Sequence, residues 1–426
     1  MTVPTASRLD TLKVAATVLG PTLAGGVIKR RPKMMGLLEK MQADTNAVRL
    51  MQDLRSRYRA PLVELAVPGR SFALVLSADE VGRVLAESPE PFSPANLEKR
   101  AALEKFQPHG VLISKGGERA RRRAFNEKAL ETPQPLHHLT PVVQAKIQEE
   151  VAALPAAGTL DWEQFAAVWW RIVRRVVLGD GARDDNTTTE LLDRLRRSSN
   201  WAYLTPRHSG LQERVLARLR GHLTRAEAGS LAEVIAQTPQ SDDDDPASQV
   251  GHWLFAFDAA AMVSFRALAL LATHPQAREQ ALAETPPDLP HLRASVLDTV
   301  RLWPTTPAIL RDITKEIDDL PAGTGLLVYT PFFHRDDQNL PYAHSFVPEI
   351  WLDGRAQQNP ALVPFSAGPG ECPARNLVLM VTSVLLAALL EKRDFLLTSG
   401  QKLGPAHALP STLDNFGLTF SVRPRR

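Results

Sequence analysis

Cysteine is nearly absent from this chain: Cys372 is the only thiol among 426 residues. An intrachain disulfide and a zinc site built from several thiolates are both excluded, so a reducing, cytoplasmic setting is expected. Charge of one sign is also scarce. Fifty basic residues against 47 acidic ones leave a formal charge of +3, which gives little support to nucleic-acid binding. Long hydrophobic runs are missing near the start. The stretch Val14–Ile28 is uncharged, yet it is shorter than a membrane span and broken by Gly20, Pro21, Gly25 and Gly26, so no transmembrane crossing is expected there. A signal peptide fits poorly, because Asp10 sits between Arg8 and Lys13 and no clear cleavage site follows. No Gly/Ser-rich or Pro-rich linker divides the chain and no internal repeat is present. The expected organisation is an N-terminal arm over 1–34, packing on the body or touching a membrane surface, and one domain over 35–426.

What is present suits a large core: 44% of residues are hydrophobic and 23% charged, the make-up of a globular protein. Leu62–Val67 and Ser71–Leu76 flank Pro68-Gly69-Arg70 and read as a hairpin, followed by a helix from about Ala78. Glu90–His109 reads as irregular. Apolar periodicity then predicts helices at Gly116–Ala129, Leu136–Leu154, Trp162–Leu178, Thr188–Leu204, Leu211–Ala228, Ser230–Gln237, Ser248–Thr273, Pro275–Ala283 and His291–Leu302. Ser241–Asp245, with four aspartates in a row, reads as a solvated loop. Short strands are expected at Ala308–Ile313 and Gly325–Val328, an irregular stretch at Asp336–Pro364, and a final hairpin within Gly404–Arg426 containing Leu418–Val422. The fold class is therefore mainly α with a small β-rich region.

The lone cysteine closes the segment Phe365-Ser-Ala-Gly368-Pro-Gly370-Glu-Cys372-Pro-Ala374. Its two glycines make a slim loop that lets backbone pass close to a flat ligand. An apolar helix is expected from Arg375 to about Leu390, which places Cys372 just before a helix N-terminus, where a thiolate is favoured. A thiolate is a donor for a soft metal; the bland alternative is a buried structural cysteine. The spacing of Phe365, Gly368, Cys372 and Ala374 resembles the haem-ligand loop of the cytochrome P450 family. That resemblance implies the family's fold, with a long central helix over haem b, and makes Cys372 the thiolate on the iron, with Phe365 and Gly368 shaping its loop.

Two further segments carry the same resemblance. Asp298-Thr-Val-Arg301 resembles the family's Glu-x-x-Arg pair, whose members meet on one helix face; the bland alternative is a solvated pair. The family's third lock residue would fall at Ile350 of Pro348-Glu349-Ile350-Trp351, so His344 or a backbone carbonyl is expected to replace it. Arg119 and Arg123, four apart, stand where the family contacts the haem propionates, and Arg311 resembles another such contact. At Gly370 the side chain common in the family is missing. Arg121 and Arg122 either belong to a solvated basic face or help dock an acidic electron donor.

Gly251–Met262 continues without proline to His274-Pro275, long enough for a central helix of about 33 Å. By resemblance Ala256 holds the Gly position, Asp258 the acid position, and Ala259 and Ala260 replace a pair of threonines. Asp258, among apolar residues, needs a partner or water: it either relays protons to the distal side or pairs to hold neighbouring helices. The activity implied is a haem-thiolate monooxygenation, placing one oxygen atom from O2 on a lipophilic substrate, with electrons from a separate ferredoxin-type donor. Loss of the threonine pair raises a peroxide-driven alternative, and a non-catalytic haem-protein partner is a third. Phe255, Phe257, Ile309 and Phe416 are expected to make an apolar pocket wall.

Overall fold

The computed structural model describes residues 3–239 and 241–425. It is mainly helical, with eight strands among the described residues: β1 (Leu62–Leu65), β2 (Phe72–Val75), β3 (Phe92–Ser93), β4 (Gly158–Asp161), β5 (Ala308–Ile313), β6 (Gly325–Tyr329), β7 (Arg393–Leu397) and β8 (Thr419–Pro424). The chain gathers into two compact units, each drawn from separate stretches.

The first unit comprises residues up to Leu97 with Leu297–Cys372 and Pro405–Asp414. Its sheet runs β1-β2-β6-β5-β3. Only β2 and β6 pair in parallel, Phe72 opposite Gly325, and a Cβ at Gly325 would stand 2.7 Å from the Phe72 ring. Val63, Leu74, Val75, Leu326 and Val328 are fully buried, and Phe92, Tyr329 and Phe332 pack with them into one core. The N-terminal arm belongs here: it forms helices Arg8–Val14 and Gly20–Gly25 joined by a π-helical turn, and Thr5 bridges to Glu64.

The second unit comprises Glu98–Val296, Pro373–Gly404 and Asn415 onward. The central helix, Pro246–Thr273, begins with Asp245 accepting from the Ser248 N–H and with Pro246 in its first turn; these are ordinary start signals. At 28 residues it spans about 42 Å. It is apolar enough to cross a membrane, but 83% of its most apolar window is buried inside the protein, so it is a core helix. Trp162–Leu178 starts on a capping box of Asp161 and Gln164 and ends at Gly179, whose φ is 106°, the left-handed region that favours glycine. The second sheet has the order β4-β8-β7, antiparallel throughout.

Three expectations are corrected. Within the stretch read as irregular, Leu97–Leu103 is a helix: good helix formers lie between Pro94 and Pro108, and the prolines masked them. The last strand is not one arm of a local hairpin, because β8 pairs with β4 and β7. The aspartate tract is not simply solvated either. Asp244 is buried and accepts from the Ser241 N–H at 2.8 Å, while Asp245 caps the central helix.

Candidate active site

In the first unit the cysteine loop is fixed by backbone geometry. The Cys372 N–H donates to the Phe365 carbonyl at 3.0 Å, and Ser366 and Gly368 have φ of 63° and 62°. A Cβ at Gly368 would lie 2.3 Å from the Leu85 carbonyl oxygen, so only glycine fits. Cys372 is half-buried and precedes the helix Arg375–Lys392, as expected.

Gly370 has a specific reason to lack a side chain. A Cβ there would stand 2.8 Å from Arg311 Nη2. Arg311, buried on β5, donates from Nε to Ser88 Oγ at 3.0 Å and from Nη1 to the Leu310 carbonyl at 3.0 Å. Its guanidinium thus comes up against the volume that a side chain at Gly370 would take.

The Asp298–Arg301 pair is fully buried, not solvated. Arg301 Nε and Nη2 reach the two carboxylate oxygens at 2.5 and 3.1 Å. The remaining guanidinium protons go to the carbonyls of Ser345 (2.6 Å), His334 (3.3 Å) and Ala343 (3.4 Å). Asp298 also accepts from the Val347 N–H at 2.7 Å and from Trp351 Nε1 at 3.2 Å. The lock is therefore completed by backbone carbonyls, as one of the two alternatives held, and by Trp351. The other alternative fails: His344 Nδ1 accepts from Arg335 at 3.1 Å. Ile350 is core, packed among Leu340, Ala343 and Leu362.

His334 carries this network to the cysteine loop. Its carbonyl accepts from Arg301, and its ring Nε2 accepts from the Val363 N–H at 3.1 Å, two residues before Phe365. Burial, reinforced by the nearby Arg301 charge, pushes its pKa down to about 3, so the ring is neutral and Nδ1 holds the proton. Neither Trp351 nor His334 was singled out from sequence, although an indole N–H beside the missing lock position was a readable signal for the first.

In the second unit, Arg119 and Arg123 lie one turn apart on the helix Gly116–Ala129. Arg119 is buried and donates to the Val111 carbonyl at 3.3 Å; burial and the neighbouring Arg123 charge hold its pKa below the ordinary guanidinium value. Arg123 pairs with Glu127 at 2.6 Å. Arg122 does not point outward: it is buried and bonded to Ser114 Oγ at 2.7 Å and to the Asp243 carbonyl at 3.0 Å. Arg121 remains exposed, 3.2 Å from the Asp243 carboxylate.

Asp258 has a partner. Its carboxylate is ion-paired with Arg196 of the helix Asn186–Ser199, both side chains being buried, and the Arg196 guanidinium lies 5.3 Å from the centre of the Phe255 ring. The helix-pairing role is thus realised, and Arg196 is a residue that sequence reasoning missed. Ala259 and Ala260 offer no hydroxyl, and the nearby Ser264 donates to the Ala260 carbonyl at 2.9 Å. Along this mostly buried helix His252, Phe255, Ala256 and Ala259 stay half-exposed, a stripe at i, i+3, i+4 and i+7. Of the expected wall residues, Phe255 and Phe416 are half-exposed, whereas Phe257 and Ile309 are core; Phe257 packs 6.1 Å from Trp169.

Glu131, His137 and His138 bring possible metal donors together. The His137 ring is already committed to backbone, accepting from the Leu139 N–H at 3.1 Å and donating to the Ala129 carbonyl at 3.2 Å. That cluster is a turn brace.

A cysteine on a sterically gated loop ahead of a buried helix, in a mainly helical fold, is an arrangement that suits a haem-thiolate protein. The family profile for cytochrome P450 matches residues 235–413. Cyclooctat-9-en-7-ol 5-monooxygenase of Streptomyces melanosporofaciens is 26% identical over 77% of this chain and 81% of its own. Probable cytochrome P450 4d20 of Drosophila melanogaster is 31% identical over 43% of this chain, and cytochrome P450 714A2 of Arabidopsis thaliana 32% over 30%. The chain spans only 37% and 26% of the length of these last two. A crystal structure of a cytochrome P450 superposes on all of this chain and 99% of its own, with a TM-score of 0.75 at 16% identity. Residues 235–413 are thus similar to the cytochrome P450 family, and the chain has the fold of a solved member; that family implies a haem cofactor.

Proposed function

We propose that residues 35–426 act as one haem-thiolate monooxygenase domain that places one oxygen atom from O2 on a lipophilic substrate. The observation that carries this reading is the cysteine loop. Cys372 stands half-buried on backbone that tolerates no Cβ at Gly368, and Arg311 crowds the place where Gly370 lacks a side chain. Taken unit by unit, the donors have the chemistry that haem b would need: Cys372 and Arg311 in the first unit offer a soft sulfur donor and a cation, and Arg119 and Arg123 in the second offer further cations for carboxylates. When bound, that cofactor supplies the oxidising chemistry, and the thiolate donor favours O–O cleavage.

The protein's own residues bind, orient and move protons. The Cys372 N–H is tied to Phe365, and the Asp298–Arg301–His334 network holds Val363, so the sulfur approaches from a rigid loop. Asp258 serves proton relay in this reading, with ordered water or a substrate hydroxyl standing in for the alcohol that Ala259 lacks. Its Oδ2 is engaged by Arg196, so that donor shares the carboxylate with the guanidinium. The protein is cytoplasmic, and its electrons come from a separate ferredoxin-type donor that meets Arg121 and other exposed basic groups.

Absence of a side-chain hydroxyl at Ala259 and Ala260 favours one alternative, a peroxide-driven peroxygenase. The first test is the absorption spectrum of the dithionite-reduced protein with carbon monoxide. A strongly red-shifted Soret band is expected; a band typical of imidazole-ligated haem would refute thiolate ligation. Product yield with peroxide, compared with yield from ferredoxin and reductase, then separates the two oxidants.

A further inference from the structure

Within the second unit, a cavity of about 210 Å³ is lined by the helix Trp162–Leu178, by all three strands of the β4-β8-β7 sheet and by the turn after the helix Thr140–Ala152. The first helix contributes Gln164, Ala167, Val168 and Arg171, which at i, i+3, i+4 and i+7 form one face. The sheet contributes Leu160 of β4, Val422 of β8 and Phe395 of β7, all buried, with Phe395 directly opposite Val422. Arg393 stands two residues before Phe395, hence on the same face of β7, and it too lines the cavity. Half-exposed Arg171 has the Asp184 carboxylate 3.7 Å away. Arg393 has no such match.

The Arg393 side chain is only 7% exposed. Its Nε donates to the Pro155 carbonyl at 3.2 Å and its Nη2 to the carbonyls of Val151 and Leu154 at 3.0 and 2.7 Å, which closes the end of the helix Thr140–Ala152. Its Nη1 makes no hydrogen bond, and no carboxylate pairs with it, among the described residues. Burial alone lowers its pKa, with no acidic neighbour to raise it. Carbonyls satisfy N–H groups but leave the positive charge unmatched, and a buried charge is costly until it is paired. We infer that this cavity binds a medium-chain carboxylate, its anionic head on Arg393 Nη1 and its tail against Leu160, Val168, Phe395 and Val422. At about 30 Å³ for each water-sized group, the volume holds a tail of about seven carbons, the length of octanoate. The inference does not depend on the haem-thiolate reading.

Calorimetric titration of the full chain with octanoate and with 1-octanol tests this. Octanoate is expected to bind at least about tenfold more tightly, since only the acid brings a charge-assisted bond. Arg393→Gln removes the cation and is expected to bring octanoate down to the affinity of the alcohol. Ala167→Phe fills the cavity from an exposed position on the helix, leaves the guanidinium in place and is expected to weaken octanoate more than about tenfold. Circular dichroism checks the fold of each variant; if Arg393→Gln does not fold, the wild-type preference for the acid and the Ala167→Phe result decide between them. No measurable octanoate binding, equal affinity for acid and alcohol, or an octanoate affinity unchanged in Ala167→Phe or in folded Arg393→Gln would each overturn the inference. Heat is read here instead of a haem band, so failure of this site and failure of the haem-thiolate reading are told apart.

Discussion

Trp351→Phe tests how the lock is completed. The substitution keeps most of the ring's packing and removes one N–H, which points at Asp298 Oδ1 from 3.2 Å. Hydrogen bonds to charged groups contribute about 1.5–3 kcal/mol. This one is at the long end of the normal range, and Asp298 keeps Arg301 and the Val347 N–H, so a loss of about 1.5 kcal/mol is expected. Asp298→Ala is different in kind: it strands the Arg301 guanidinium with no exposed surface, and breaking a buried pair in this way costs about 3–5 kcal/mol. Trp351→Phe added to Asp298→Ala should cost little more, because its acceptor has gone; the coupling between the two sites then nearly equals the Trp351 effect. Urea unfolding of the haem-loaded protein, followed by circular dichroism and by the Soret band, measures all three. His344→Ala serves as a comparison, since His344 bonds Arg335 and makes no bond within the lock. Additive costs for Trp351→Phe and Asp298→Ala, or a Trp351→Phe effect under about 0.3 kcal/mol, would refute the assignment.

Asp258→Asn should slow product formation while sparing haem incorporation; unchanged turnover would count against the relay. Gly368→Ala should abolish haem retention, because a Cβ meets the Leu85 backbone at 2.3 Å, whereas Gly370→Ala meets only the end of the Arg311 side chain and should fold with weakened retention; equal haem content in both variants contradicts this. His334, held neutral with a pKa of about 3, takes up a proton on unfolding at any pH between that value and the ordinary value of about 6.5. Stability is therefore present above about pH 6.5 and falls by about 1.4 kcal/mol per unit as pH drops through that window; a urea midpoint with the same pH slope in wild type and His334→Gln would show that another group carries it.

Legibility followed the range of the signal. Gly116–Ala129, Trp162–Leu178 and Ala308–Ile313 were read to the residue, because caps, breakers and apolar periodicity are written in the segment itself. The cysteine loop was readable from its own spacing, although the clashes that its glycines avoid, with Leu85 and Arg311, come from segments distant in the chain. Partners distant in the chain were not. Nothing near Asp258 announces Arg196, nothing near β8 announces β4 and β7, and Arg122 looks like any exposed arginine until Ser114 and the Asp243 carbonyl are found around it. Trp351 lies between, since its donor was adjacent to the vacant lock position but its aim depended on the fold.

The alanines at 259 and 260 move a chemical requirement to other groups. Proton delivery beside a buried acid needs an atom that both accepts and donates. Among the residues that follow Asp258 on its helix, the first hydroxyl is Ser264, and that donor is spent on the Ala260 carbonyl. Asp258 is itself held by Arg196 through a buried ion pair, so a proton donor at this carboxylate competes with that guanidinium. Under the dioxygen reading, proton delivery would depend on a water or substrate hydroxyl arriving with the ligand, which would make turnover sensitive to substrate shape. Peroxide chemistry escapes that dependence, since peroxide brings its own protons. A substrate series that differs only in a hydroxyl near the oxidised carbon discriminates the two. Rates that rise with the hydroxyl under ferredoxin and stay flat under peroxide place the missing alcohol on the substrate, and rates flat under both assign that task to water.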